Sequence, residues 1–133
     1  MKVSYEWKDI SGLPNVGRLS FDRDRKLVWL ETEGKHNGEV VVTSVKVERT
    51  AFSGELLRVM KARQAARIRY AAPSVLTCSW SDEAAVARLV FDDERGTLYL
   101  ETERPVQTGW IHTLVEVTRV QFVEGLLAMG GVL

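Results

Sequence analysis

Two stretches decide the fold: RLSFDRDRKLVWLETEGKHNGEVVVTSVKVERTAFSGELL, Arg18–Leu57, and RLVFDDERGTLYLETERPVQTGWIHTLVEVTRVQFVEGLL, Arg88–Leu127. Laid side by side without a gap, they agree at 16 of 40 positions. Typical residue frequencies give about 2 or 3 agreements by chance. The shared residues include Arg18/Arg88, Phe21/Phe91, Leu30/Leu100, Glu31/Glu101, Thr32/Thr102, Glu33/Glu103, Thr43/Thr113, Arg49/Arg119, Phe52/Phe122 and Leu57/Leu127. Upstream the match resumes at an offset of 73, pairing Ser4 with Thr77, Trp7 with Trp80 and Asp9 with Asp82. The change of offset falls in Ile10–Gly17, where Gly12 and Pro14 mark a loop that absorbs insertions. The chain is therefore read as an internal duplication within one domain, 1–133: repeat 1 at 3–62, a linker at 63–75 and repeat 2 at 76–131. A half of this size buries too little surface to stand alone, so the halves should share a core about a pseudo-twofold axis.

Within one copy the hydrophobic period is two over most of the length. Val3–Trp7, Gly17–Phe21 and Leu27–Glu33 read as strands, with a polar turn at Asp22–Lys26. In the second copy that turn ends in Gly96, which supplies the positive φ of a short hairpin loop. Leu19, Phe21, Val28 and Leu30 share an inner face; Arg18, Ser20, Trp29, Glu31 and Glu33 share the outer one. Pairing Phe21 with Val28 sets Arg18 opposite Glu31, and Arg88 opposite Glu101. A fourth strand spans Val40–Arg49, and its repeated face is Thr43, Val45, Val47 and Arg49. The period then lengthens to 3.6 through Phe52, Leu56, Val59, Met60 and Arg63, predicting a helix from Ala51 to Arg67 with Thr50 or Ser53 as its cap. Its apolar stripe is expected to cover the sheet. The second helix runs through Phe122, Leu126, Leu127 and Met129 to Gly130-Gly131. The fold class is α+β: two ββββα units, antiparallel sheets with helices on one face. Trp7, Trp80 and Trp110 are expected in the core, with Cys78 as a buried structural thiol.

Composition narrows the function. The net charge is zero, whereas a protein built to hold phosphate backbones usually carries a basic excess. No apolar run approaches the roughly 20 residues of a membrane helix, and no signal peptide is visible. A soluble cytoplasmic protein is the expectation, with no membrane association. His36 and His112 occupy inequivalent positions, and neither sits in a ligand-spaced cluster. Two groups of carboxylates invite acid–base or metal chemistry: Asp22, Asp24, Asp92, Asp93 and Glu94 at the turns, and Glu31, Glu33, Glu101 and Glu103 on the outer faces. Solvated turns and partners for Arg and Lys are the plainer reading, so neither catalytic residues, a metal nor a cofactor is expected.

Charge is uneven along the chain. Leu56–Ser81 carries Arg58, Lys61, Arg63, Arg67 and Arg69 and no acid, leaving the remainder at −5. These five, with the repeated outer-face aromatics Trp29 and Tyr99, are the candidate residues for binding an anion or nucleic acid. The order of elements over nearly the whole chain resembles the PUR-repeat family, and each unit is similar to the PC4-like and Whirly groups of single-strand nucleic-acid binders. The resemblance implies curved sheets joined about a twofold, helices behind them and bases lying on basic and aromatic sheet residues. Here Trp29, Tyr99, Arg18 and Arg88 share the outer faces with Glu31, Glu33, Glu101 and Glu103. Two functions are thus expected from the sequence. The first is a small non-catalytic binding or assembly module, as a homodimer through an exposed sheet or with another protein. The alternative is a single-stranded nucleic-acid-binding protein.

Overall fold

A computed structural model describes residues 2–68, 76–130 and 132, with the side chains of 66–68 left out. The first copy forms β1 (Lys2–Lys8), β2 (Val16–Asp22), β3 (Leu27–His36), β4 (Glu39–Glu48) and α1 (Arg49–Ile68). The second forms β5 (Leu76–Ser81), β6 (Val86–Asp92), β7 (Thr97–Val106), β8 (Gly109–Thr118) and α2 (Arg119–Met129). Each copy is an antiparallel meander, in the orders β1-β2-β3-β4 and β5-β6-β7-β8. The register is the one that the period of two dictates: Phe21 opposes Val28, Arg18 opposes Glu31 and Arg88 opposes Glu101. Both β2–β3 and β6–β7 turns use a positive φ at the same position, 53° at Lys26 and 65° at Gly96.

The inner faces meet at one end of the molecule and take the helices at the other. Where they meet, the hydroxyls of Thr32 and Thr102, equivalent residues of the two copies, lie 2.6 Å apart in the core. Gly17 lies so close to the opposite sheet that a Cβ there would sit 3.1 Å from Leu100.

The helices dock across the duplication. The stripe Phe52, Leu56 and Val59 of α1 is buried, and α1 packs on β5 of the other copy as well as on β3 and β4. The indole of Trp80 stacks on Phe52 at 5.0 Å and donates to the carbonyl of Ala51 at 3.2 Å. On the other side Trp7 stacks on Phe122 at 5.5 Å and donates to the carbonyl of Gln121 at 2.9 Å. The sheets also cap one another's edges. Asp9 Oδ2 accepts from the backbone N–H of Glu116 on β8, and Asp82 Oδ2 from that of Lys46 on β4, at 2.9 and 3.0 Å. An open strand edge is a template for unwanted pairing, and a carboxylate on its free N–H blunts it. Trp7, Asp9, Trp80 and Asp82 thus recur because they stitch each copy to the other.

Two expectations are corrected and a third is extended. Trp110 is 65% exposed, because it shares parity on β8 with the outward residues His112 and Leu114. Neither Thr50 nor Ser53 caps α1, since the helix already begins at Arg49 and Ser53 Oγ donates back to the Arg49 carbonyl. Each helix covers more than its own sheet, because the first strand of the other copy offers it a tryptophan. By contrast, α2 has a full capping box, with Thr118 Oγ1 accepting from Gln121 N and Gln121 Oε1 accepting from Thr118 N. Cys78 is buried as expected, and burial, then the nearby Glu55, pushes its thiol up to about 12. No helix among the described residues is long and apolar enough to cross a membrane.

Candidate functional site

The outer sheet faces hold two matching charge networks. Arg18 donates to Glu31 at 2.9 Å, Glu6 at 2.9 Å and Glu33 at 3.2 Å. Arg88 donates to Glu101 at 2.9 Å and Glu103 at 3.4 Å. The hydrogen bond to Glu31 does most to raise the Arg18 pKa, against the opposing effect of burial. Glu101, Glu103 and His112 bring ligand atoms within 4.8 Å of one another, donor types that suit a divalent metal. The cation between the two carboxylates is the Arg88 guanidinium, whose Nη1 lies 2.9 and 3.1 Å from them. Of the turn carboxylates, Asp22 and Asp92 serve their own turns, accepting from the backbone N–H groups of Arg25 and Arg95.

The outer-face aromatics lie on different sheets. Trp29, half-buried, sits under the Lys2 ammonium at 4.6 Å. Tyr99, also half-buried, takes a hydrogen bond on its hydroxyl from Arg95 at 3.0 Å.

The basic stretch is divided rather than gathered. Arg58 pairs with Glu55 one turn away at 2.6 Å, holding that carboxyl below the usual carboxylate range. Arg63 reaches across to Asp93, which also faces Arg119 at 3.5 Å. Lys61 is exposed. The side chain of Arg67 and the whole of Arg69 lie outside the described residues.

Between the two helices the sequence reading missed a groove. An apolar hollow of about 230 Å³ opens there, floored by Leu56, Phe91, Leu98, Phe122 and Leu126. It continues into a wider polar-edged trough of about 620 Å³ bounded by Leu57, Lys61, Gln64 and Arg119. Met60, Arg63, Arg119 and Val123 line both. At 100° per residue, Leu57, Met60 and Gln64 form a second stripe on α1, beside the buried one. Val120, Val123 and Leu127 form the matching stripe on α2. Leu57, Met60, Val120, Val123 and Leu127 are each between 50% and 76% exposed. Together they present on the order of 500 Å² of apolar side chain, near the upper range for the largest patch on a monomeric protein.

No protein-family model matches the chain, and neither the curated proteins nor the solved structures provide a match.

Proposed function

We propose that the chain is a non-catalytic binding module and that its docking site is the groove between α1 and α2. The observation that carries this reading is the pairing of an apolar hollow of about 230 Å³ with exposed apolar stripes on both flanking helices. A desolvated pocket ringed by apolar surface is the usual anatomy of a protein-binding hot spot. On the outer sheet faces Arg18 and Arg88 already spend their guanidinium donors on glutamates. The same pairing weighs against nucleic acid on the sheets, and Glu55 and Asp93 weigh against it on α1.

Site-specific photocrosslinking tests the reading. A benzophenone side chain at position 60 or 123 should give a discrete polypeptide adduct in living cells, lost when Leu127→Glu is added. The same probe at 29 or 112, on the outer faces, should not. Adducts only from the outer faces, or adducts of nucleic acid, would overturn it. Labelled single-stranded oligonucleotides provide the counter-test by fluorescence anisotropy. Micromolar binding that weakens steeply with salt would establish the alternative function.

A further inference from the structure

The groove also says what kind of chain fits it. Its width is bounded by two helices lying over one end of a sheet, and its floor is apolar. A hollow of about 230 Å³ exceeds the roughly 150 Å³ in which an engineered apolar cavity holds benzene, so it has room for one aromatic ring or a pair of aliphatic side chains. Around its mouth stand Lys61, Arg63 and Arg119, with Asp93 as the acid among them. On the helical wheel Glu55 lies on the flank of α1 opposite the groove, whereas Glu124, four residues after Val120 and three before Leu127, borders the outer edge of the α2 stripe. Three cations against Asp93 and Glu124 leave the mouth positive on the α1 side, while the floor is apolar.

From this we propose that the occupant is an amphipathic helix of another protein, inserting one or two large apolar side chains and bearing acids beside its apolar stripe. The proposal rests on the docking groove argued above. A helix laid in a groove buries residues at i, i+3 or i+4, and i+7, which suits a trough walled by two helices. Arg63 and Arg119 share the single acid Asp93, so with Lys61 the α1 side keeps a cationic surplus that favours acidic flanks and speeds encounter. It also sets this occupant above a second copy of the chain, whose own Lys61, Arg63 and Arg119 would be brought against the same three cations. Two copies meeting by these stripes would bury about 1,000 Å² in total, the lower bound for a specific interface.

The test is selection of random 16-residue peptides displayed on phage against the immobilised protein, followed by anisotropy on the synthetic winners. Enriched sequences should carry large apolar residues at helical spacing with Asp or Glu beside them. Their binding should fall at least tenfold on Val123→Glu and on Leu57→Glu, and severalfold on Lys61→Glu. Both apolar positions are exposed, and unchanged melting of each variant confirms that the fold is intact. Winners with alternating, extended spacing or with basic flanks would overturn the helical, acidic occupant yet leave the groove as a docking site. No enrichment, with a dimer in sedimentation that Val123→Glu dissociates, would name the second copy instead. No enrichment from a monomer overturns the inference. Winners indifferent to both glutamates would overturn the groove itself.

Discussion

Gly125→Ala and Gly54→Ala are the same substitution in the two helices, and the structure gives them opposite signs. Both glycines are helical, so alanine brings each about 1 kcal/mol of helix propensity. At Gly54 a new Cβ meets nothing within 4 Å, and the full gain should appear as stability. At Gly125 it would lie 2.5 Å from Cζ2 of Trp7 and 2.8 Å from Cδ1 of Tyr5. Trp7 has little freedom to retreat, because its ring stacks on Phe122 and its N–H is tied to the Gln121 carbonyl. Overpacking of this kind costs about 1–3 kcal/mol, and a close contact on each of two rings, one of them held rigidly, places it at or above the upper end. Net of propensity, Gly125→Ala should lose about 2 kcal/mol, or several degrees of Tm. Urea unfolding followed by tryptophan fluorescence measures both variants. If Gly125→Ala is as stable as Gly54→Ala, α2 does not rest on Trp7, and the exchanged docking of the helices is wrong.

Three further outcomes are expected. Cys78, its thiol raised to about 12 by burial, should react with a disulfide reagent at pH 8 far more slowly in the native protein than in urea, and equal rates would place it at the surface. Burial opposes ionisation of Asp9 and Asp82, but the Ser11 hydroxyl and Glu116 N–H at Asp9, and the Lys46, Ala84 and Ala85 N–H groups at Asp82, outweigh it and lower both carboxyls below 3.8. Their contribution is complete above the unfolded value and is lost as pH falls below about 4, so Asp9→Asn with Asp82→Asn should flatten that part of the stability curve in pH-dependent urea melts. Thr32→Val should cost about 1–3 kcal/mol by leaving the buried Thr102 hydroxyl unpaired, whereas Thr32→Val with Thr102→Val should be nearly neutral. A double-mutant cycle with no coupling would separate the two hydroxyls.

Much of the scaffold was legible because one fold was written twice. Phe21 against Val28 fixed the register, and the paired recurrence of Arg18/Glu31 with Arg88/Glu101 supported it. The exchange of helices was not legible, although its signal was present. Trp7, Asp9, Trp80 and Asp82 recur, but each bonds a backbone group of the other copy, and backbone leaves no residue type to match. Trp110 was misplaced by hydrophobicity alone. Its spacing from His112 and Leu114, on the face that varies between copies, pointed outward. The Thr118 and Gln121 capping box was likewise readable as a spacing. The groove was not, because an exposed apolar stripe on a helix is recognised only after the buried stripe has found its partner.

Two kinds of divergence separate the copies, and they have different physical meanings. Some changes compensate. Tyr5 and Gly125 meet where the other copy has Cys78 and Glu55, so a large strand residue faces no side chain and a small one faces a longer side chain. Such exchanges keep each helix docked on the opposite tryptophan. The changes at the groove restore nothing. α1 runs 20 residues and α2 only 11, so Met60 and Arg63 lie beyond the length that α2 attains. That extension reaches over Phe91 and Leu98 and makes the hollow with Val123, whose equivalent is Ser53. At the corresponding place in the first copy, Phe21 stands instead beside Arg23, Lys26 and Arg49. Asp93, which holds Arg63 and Arg119, is matched there by Arg23. An apolar groove on one side and a cationic hollow on the other cannot both follow from the repeat. The basic extension of α1 builds the difference, because its Met60 and Lys61 are walls of the groove.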